Sequence, residues 1–256
     1  MKRLLKKIST LLLLGYVAMG VFLYINQRDF LYFPTAHTPT AYKNMVLKNS
    51  GISLHVIVLN EGHENAILYF GGNAESMAQS SDYIAQQFPA FTVYLMDYRG
   101  YGNSTGTATE EGLYSDALKL YDVIKPKHNR ICIGGRSLGS AVATYVAANR
   151  EVSKLALITP FDSIENVAQE RYPIYPIPLL LEDKYDSAGR VNKIKAETFI
   201  VIAQNDRVIP MESTQKLINA FDPKQLKVTV IKNRGHIDIS SDAKYYKIMQ
   251  DFIGEG

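Results

Sequence analysis

Short apolar runs that do not alternate with polar residues recur along this chain, at Ala66–Phe70, Phe91–Met96, Arg130–Gly134, Lys154–Thr159, Glu197–Ala203 and Leu226–Lys232. A strand wet on one face alternates apolar and polar side chains, whereas a run that stays apolar belongs to a strand covered on both faces. Between the runs, Glu110–Ile124, Leu138–Asn149, Glu212–Phe221 and Ala243–Phe252 read as helices. Such alternation predicts an α/β fold, a mostly parallel central sheet with helices on both faces. Before the rhythm begins, MVLKNSGISLHVIVLN reads as a hairpin whose turn is Asn49-Ser50-Gly51. At 256 residues the chain can bury a sizeable core, as one large domain or two small ones.

The N-terminus is of another kind. MKRLLKK is basic, and Ile8–Ile25, ISTLLLLGYVAMGVFLYI, then carries no charge. As a helix it would span roughly 27 Å, close to the ~30 Å hydrocarbon core of a bilayer. The rival reading is a cleaved signal peptide, because Ala18-Met19-Gly20 loosely fits a cleavage site, and a secreted product would follow. The residues after Gly20 remain apolar, however, which favours an uncleaved anchor over residues 1–28. Lys2, Arg3, Lys6 and Lys7 would hold the N-terminus in the cytoplasm, with the domain of residues 29–256 across the membrane. Residues 26–42, broken by Pro34 and Pro39, read as an irregular connector. Without that basic cluster the formal charge of +3 falls close to neutrality, so nucleic-acid binding is not expected. A single cysteine, Cys132, excludes an internal disulfide and reads as a small buried residue. The sequence says nothing of oligomeric state.

One interval breaks the strand–helix rhythm. Between the runs ending at Thr159 and starting at Glu197, the YPIYPIPLLL centre cannot be one regular helix, because Pro173, Pro176 and Pro178 interrupt it. It reads either as a small cap over a pocket, at residues 161–185, or as packing on the domain surface.

Chemistry concentrates at Gly135-Arg136-Ser137-Leu138-Gly139, a G-x-S-x-G sequence between an apolar run and a helix. That setting is the one a nucleophile elbow requires, although a capped strand–helix turn would look similar. A serine hydroxyl needs a base, and the base needs a group to orient it. His37, His55, His63 and His128 read as surface residues. His236, in NRGHIDIS, follows the last strand, and Asp206, in FIVIAQNDRVIP, follows the strand before it. Both loops emerge at the carboxyl edge of the sheet, where Ser137 also lies, and the order Ser137, Asp206, His236 suits a triad. Taken singly, Asp206 reads equally as a turn residue and His236 as a loop histidine; Asp162 and Asp238 are the rival acids. An oxyanion would need backbone donors. Leu138 N–H, directly after the serine, is one candidate, and Asn73 N–H, in YFGGNAES, is the other.

With YFGGNAES, DYRGYGNSTG, GRSLGSAVA, LITPFDSI, QNDRVIP and GHIDIS in this order, the chain resembles the membrane-anchored branch of the α/β-hydrolase superfamily, related to bud-emergence proteins and serine-aminopeptidase-like hydrolases. The resemblance covers about Phe30 to the C-terminus. It implies Ser137 as nucleophile, Asp206 as acid, His236 as base, Asn73 and Leu138 as oxyanion positions, and a structural role for Asp97–Gly102. Relatives usually carry His-Gly where this chain has Gly71-Gly72, a departure that bears on loop packing. The expected activity is a serine hydrolase cleaving an ester, thioester or amide of a small acyl or lipid-like substrate. A catalytically silent binding module and an acyltransferase with the same triad are the alternatives. No metal or cofactor is implied, since Gly134–Gly139 fits neither the dinucleotide nor the P-loop pattern.

Overall fold

In the computed structural model, which describes residues 1–254, the apolar runs and the opening hairpin become strands of one sheet. In chain order they are β1 (Lys43–Asn49), β2 (Ile52–Leu59), β3 (Asn65–Phe70), β4 (Thr92–Met96), β5 (Arg130–Arg136), β6 (Lys154–Ile158), β7 (Glu197–Ala203) and β8 (Leu226–Ile231). The helices are α1 (Lys2–Ile25), α2 (Gln27–Leu31), α3 (Met77–Gln87), α4 (Glu110–Ile124), α5 (Leu138–Asn149), α6 (Ile164–Arg171), α7 (Ile177–Leu180), α8 (Met211–Ala220) and α9 (Ala243–Gly254). Strand order across the sheet is β1-β2-β4-β3-β5-β6-β7-β8; β1 and β2 run antiparallel to their neighbours and β4 to β8 pair in parallel.

Alternate side chains of each strand serve two cores. Ala66, Leu68 and Phe70 of β3 join Leu113 and Leu120 of α4, Val142 and Val146 of α5 and Leu217 of α8. Ile67, between them, joins Ile84 of α3 and Met249 and Phe252 of α9 on the other face. Both faces are thus covered, as the unbroken apolar runs require. At β8 the expectation fails: Lys227, Val228 and Val230 are exposed, because β8 is an edge strand bordered only by β7. Between β1 and β2, Ser50 and Gly51 both take positive φ, 48° and 80°, giving the two-residue turn that matches strand twist.

The chain winds from β3 through α3 to β4 on one side, then through α4 to β5 on the other side of β3. Adjacent connections that leave in opposite directions open a crevice at the carboxyl ends of β3 and β5, the place where ligands bind open α/β sheets.

Several elements differ from the sequence reading. Helix α3 is unforeseen because MAQSSDYIAQQ is mostly polar; only Met77, Ser81, Ile84 and Ala85 are buried, and Ser76 caps its start by accepting from Gln79 N–H. The connector is helical at Gln27–Leu31, so α2 follows α1 after the single residue Asn26. Asp183, buried, fixes this junction: it accepts from Arg28 Nε (2.9 Å), the Tyr32 hydroxyl (3.1 Å) and the first N–H of α4, at Glu110 (3.1 Å). Helix α1 is exposed along most of its length and is long and apolar enough to cross a membrane.

His55 is a correction as well. It is 7% exposed, with Nδ1 2.8 Å from Asp97 Oδ2, because β2 lies one strand in from the edge and the loop after β4 folds over it. Ser104 closes the motif, accepting from His55 N–H and donating to the Asp97 carbonyl, both at 2.8 Å. His128 is half-buried against the Tyr94 hydroxyl at 2.9 Å, whereas His37 and His63 are exposed as expected. Asp97→Ala would leave the buried His55 ring without its partner and should lower stability by about 2 kcal/mol; equilibrium unfolding in urea would measure the change.

Candidate active site

Ser137 is the one residue between β5 and α5, with φ 51° and ψ −119°, a conformation that costs an L-residue energy. Its surroundings hold it there. Ser137 N–H donates to the Ile158 carbonyl of β6 (2.9 Å), and its own carbonyl accepts from the N–H (2.9 Å) and hydroxyl (2.6 Å) of Ser140. The flanking glycines are required by space. A Cβ on Gly139 would collide with the carbonyls of Phe70 and Gly71, and one on Gly135 with the Gly139 carbonyl and the Ala143 methyl.

From this turn the Ser137 hydroxyl, in a residue only 8% exposed, lies 2.8 Å from His236 Nε2. His236 Nδ1 lies 2.7 Å from Asp206 Oδ2. The other carboxylate oxygen, Oδ1, accepts from the N–H groups of Val208 (2.8 Å) and Ile209 (2.9 Å), so the loop after β7 fixes the carboxylate plane. The rival acids are engaged elsewhere. Asp162 accepts from the Ser213 hydroxyl (2.5 Å) and from Asn166, and Asp238 accepts from Gly235 N–H (2.8 Å) beside Arg234.

The loop after β3 packs directly on the serine: a Cβ on Gly72 would stand 3.7 Å from Ser137 Cβ. Beside Gly71, the space a side chain would need is occupied by the Met77 methyl and by Glu75. The N–H groups of Asn73 and Leu138 have no hydrogen-bond acceptor among the described residues. Both residues line the cavity that holds Ser137. Unpaired backbone donors beside a nucleophile are what a developing oxyanion requires.

Four residues support the site, of which Arg136 and Glu75 escaped the sequence reading. Arg136, the variable residue before the serine, donates to the carbonyls of His236 (2.9 Å) and Ile237 (2.8 Å), tying the histidine loop to the elbow. Glu75 accepts from Gly72 N–H (3.0 Å) and stands 4.0 Å from Arg136 Nη1, linking the glycine loop to the same guanidinium. Tyr98 donates to the Gly71 carbonyl and Tyr101 to the Asn73 carbonyl, each at 2.8 Å. Burial pushes the Tyr98 phenol well above its ordinary value and that of Tyr101 up to about 12, so both stay protonated as donors. The DYRGYG motif placed these tyrosines in a structural loop, and the structure gives that loop its task.

The cavity at Ser137 has a volume of about 540 Å³, within the range of small-molecule sites. Ile164 and Val167 of α6 and Ile177 and Leu180 of α7 form one wall, and Leu23 and Tyr24 of α1 another. A second cavity, about 250 Å³, lies beneath α3 and α9 and does not include Ser137.

Because Arg136 holds the His236 backbone, Arg136→Met should lower kcat for any reaction at Ser137 by about 10²-fold with little change in KM, as misplacing a reacting group by an ångström does. Steady-state kinetics on a soluble ester would separate the two parameters.

No family model matches the chain. It is 30% identical over 245 residues to Rv2307c, an uncharacterised protein of Mycobacterium tuberculosis, with 88% of this chain and 86% of that protein covered. The lysophosphatidylserine lipase ABHD12 of Bos taurus is 31% identical over 225 residues, covering 74% of this chain and 56% of the lipase. Among solved structures, the Pyrococcus furiosus esterase Pf2001 superposes with a TM-score of 0.70 at 15% identity, over 87% of this chain and 98% of the esterase. The enol-lactonase of Burkholderia xenovorans gives 0.63 at 18% identity, over 82% and 100%. With this strand order, the elbow at β5 and these relatives, the chain belongs to the α/β-hydrolase superfamily.

Proposed function

We propose that the protein is a membrane-anchored serine hydrolase that cleaves an acyl ester, thioester or amide bond through an acyl-enzyme. The observation that carries this reading is the continuous hydrogen-bonded line from the Ser137 hydroxyl through His236 to Asp206, at 2.8 and 2.7 Å. His236 Nε2 takes the serine proton as Oγ attacks the acyl carbon, and Asp206 fixes the imidazole tautomer and balances its positive form. The N–H groups of Asn73 and Leu138 receive the oxyanion. His236 then protonates the leaving group and activates the water that releases the acid. A silent binding module would have no need of a strained serine bonded to a histidine. The mainly apolar walls of the cavity support a lipid-like substrate, the class that the mammalian relatives named lysophosphatidylserine lipases act on.

Residues 1–28 supply the anchor in this reading and residues 29–256 the hydrolase domain, with residues 161–185 as a cap over the cavity. The charge-free Ile8–Ile25 stretch of α1 supports retention in the membrane, within the anchored branch that the sequence motifs resemble. The basic residues before it support a cytoplasmic N-terminus and a catalytic domain on the opposite side.

Ser137→Ala should leave a folded protein that no longer reacts with a fluorophosphonate probe and has lost about 10⁶-fold in turnover. Near wild-type hydrolysis by that variant would refute the serine mechanism. Asp206→Asn should cost about 10⁴-fold through the histidine tautomer, with Asp238→Asn close to wild type; equal losses would reassign the acid. Release of free acid in the product mixture, rather than acyl transfer to an added alcohol, would identify hydrolysis.

A further inference from the structure

The cavity at Ser137 is walled in part by the helix that the sequence offers as a mere anchor. Gly20, Leu23 and Tyr24 of α1, with Gln27 of α2, line it, as do Tyr172, Tyr175 and Leu180. The contact reaches well down the helix. The Tyr16 and Tyr175 rings stack at 4.7 Å and 8°; the Tyr175 hydroxyl donates to the Tyr16 carbonyl (3.1 Å), and the Tyr16 hydroxyl to the Ile174 carbonyl (2.9 Å). Gly20 makes room for the same ring, since a Cβ there would sit 3.0 Å from Tyr175 Cε1.

These contacts fix a depth. Tyr16 precedes the end of α1 by about 14 Å along the helix axis at ~1.5 Å per residue, close to half of a ~30 Å hydrocarbon core. If α1 spans a bilayer, the segment 172–181 beside it lies among acyl chains. Its composition suits that depth. Tyr172 to Leu181 carry no charge, and Ile174 and Leu179 are 69% and 84% exposed, whereas outside α1 most apolar residues are covered. Three prolines remove backbone donors, and the N–H groups of Tyr175, Ile177, Leu179 and Leu181 bond to carbonyls of Tyr172, Tyr175, Pro176 and Ile177 within the segment. Internal pairing is what irregular backbone in hydrocarbon needs, and the segment meets it except at Ile174, whose N–H has no acceptor among the described residues. In sequence, charge resumes at both ends, with Arg171 before the segment and Glu182 after it, the latter paired to Arg28 at 2.9 Å; in space, Lys184 reaches back to donate to the Pro178 carbonyl (2.8 Å).

We propose that segment 172–181 inserts into the leaflet alongside α1, so that the Ser137 cavity opens sideways between them. The substrate is then an acyl lipid resident in the bilayer, whose chain enters from the leaflet rather than from water. Helix α1 is part of the acyl-binding wall. The substrate route rests on the reading of Ser137 as nucleophile; the insertion of the segment does not.

The chain contains no tryptophan, so a single Leu179→Trp substitution reports depth without background. In full-length protein reconstituted in phosphatidylcholine vesicles, lipids brominated on their acyl chains should quench most of its emission and aqueous acrylamide little. Quenching by acrylamide alone overturns the insertion, whatever the activity. Fluorophosphonate labelling of Ser137 checks that each variant is assembled. In the same vesicles Gly20→Leu, which crowds Tyr175, should lower the ratio of palmitoyl-lipid to butyrate-ester turnover about tenfold or more. A labelled Gly20→Leu protein with the wild-type ratio overturns the role of α1 in the pocket. A wild-type protein that is quenched by brominated lipid but neither labels nor hydrolyses either ester overturns the hydrolase reading and the substrate route with it.

Discussion

The carboxyl edge of this sheet is organised by one steric fact: the first turn of α5 touches the end of β3 with no side chain between them. Gly139 meets the carbonyls of Phe70 and Gly71, and Gly135 meets Gly139 in turn. Any larger residue would push α5 outward and carry Ser137 with it. Because the helix starts this close, its unpaired N-terminal N–H groups lie beside the serine and the glycine loop, where a helix end favours negative charge. One contact therefore brings together the Ser137 hydroxyl, held at positive φ, and the backbone N–H groups proposed to receive an oxyanion.

Around that contact the loops are tied to each other by side chains. Arg136 holds the His236 backbone, Glu75 reaches Arg136 while accepting from Gly72, and Tyr98 and Tyr101 fix the carbonyls on either side of Gly72. Each of these side chains bonds backbone, so it constrains position rather than chemistry. A site assembled from four loops keeps its spacing only when such supports lock it.

The sequence made the central strands and the Ser137–His236–Asp206 alignment legible, because both are written in local patterns: unbroken apolar runs, a glycine-flanked serine, and polar residues just past strand ends. What escaped it depends on distant partners. Arg136 reads as filler in its motif, since its acceptors lie a hundred residues away. His55 looks like a hairpin residue until the Asp97 loop closes over it. Helix α3 has too few apolar positions to declare a period, and β8 too many to declare itself an edge. Least legible of all was the junction after α1, where prolines downstream suggested a loose connector and Asp183 instead holds Arg28 and Tyr32.

That carboxylate has a consequence for the order in which the molecule is made. Arg28 and Asp183 are 155 residues apart in the chain, and Tyr16 and Tyr175 are 159 apart. At about 5–20 residues per second, roughly 10–30 s of synthesis separate the two sides of each contact. Helix α1 leaves the ribosome first and waits for its partners, so the wall of the cavity that faces it closes only when most of the chain has been made. The pocket is thus a late product of assembly, completed by a folded domain docking back onto its own first helix.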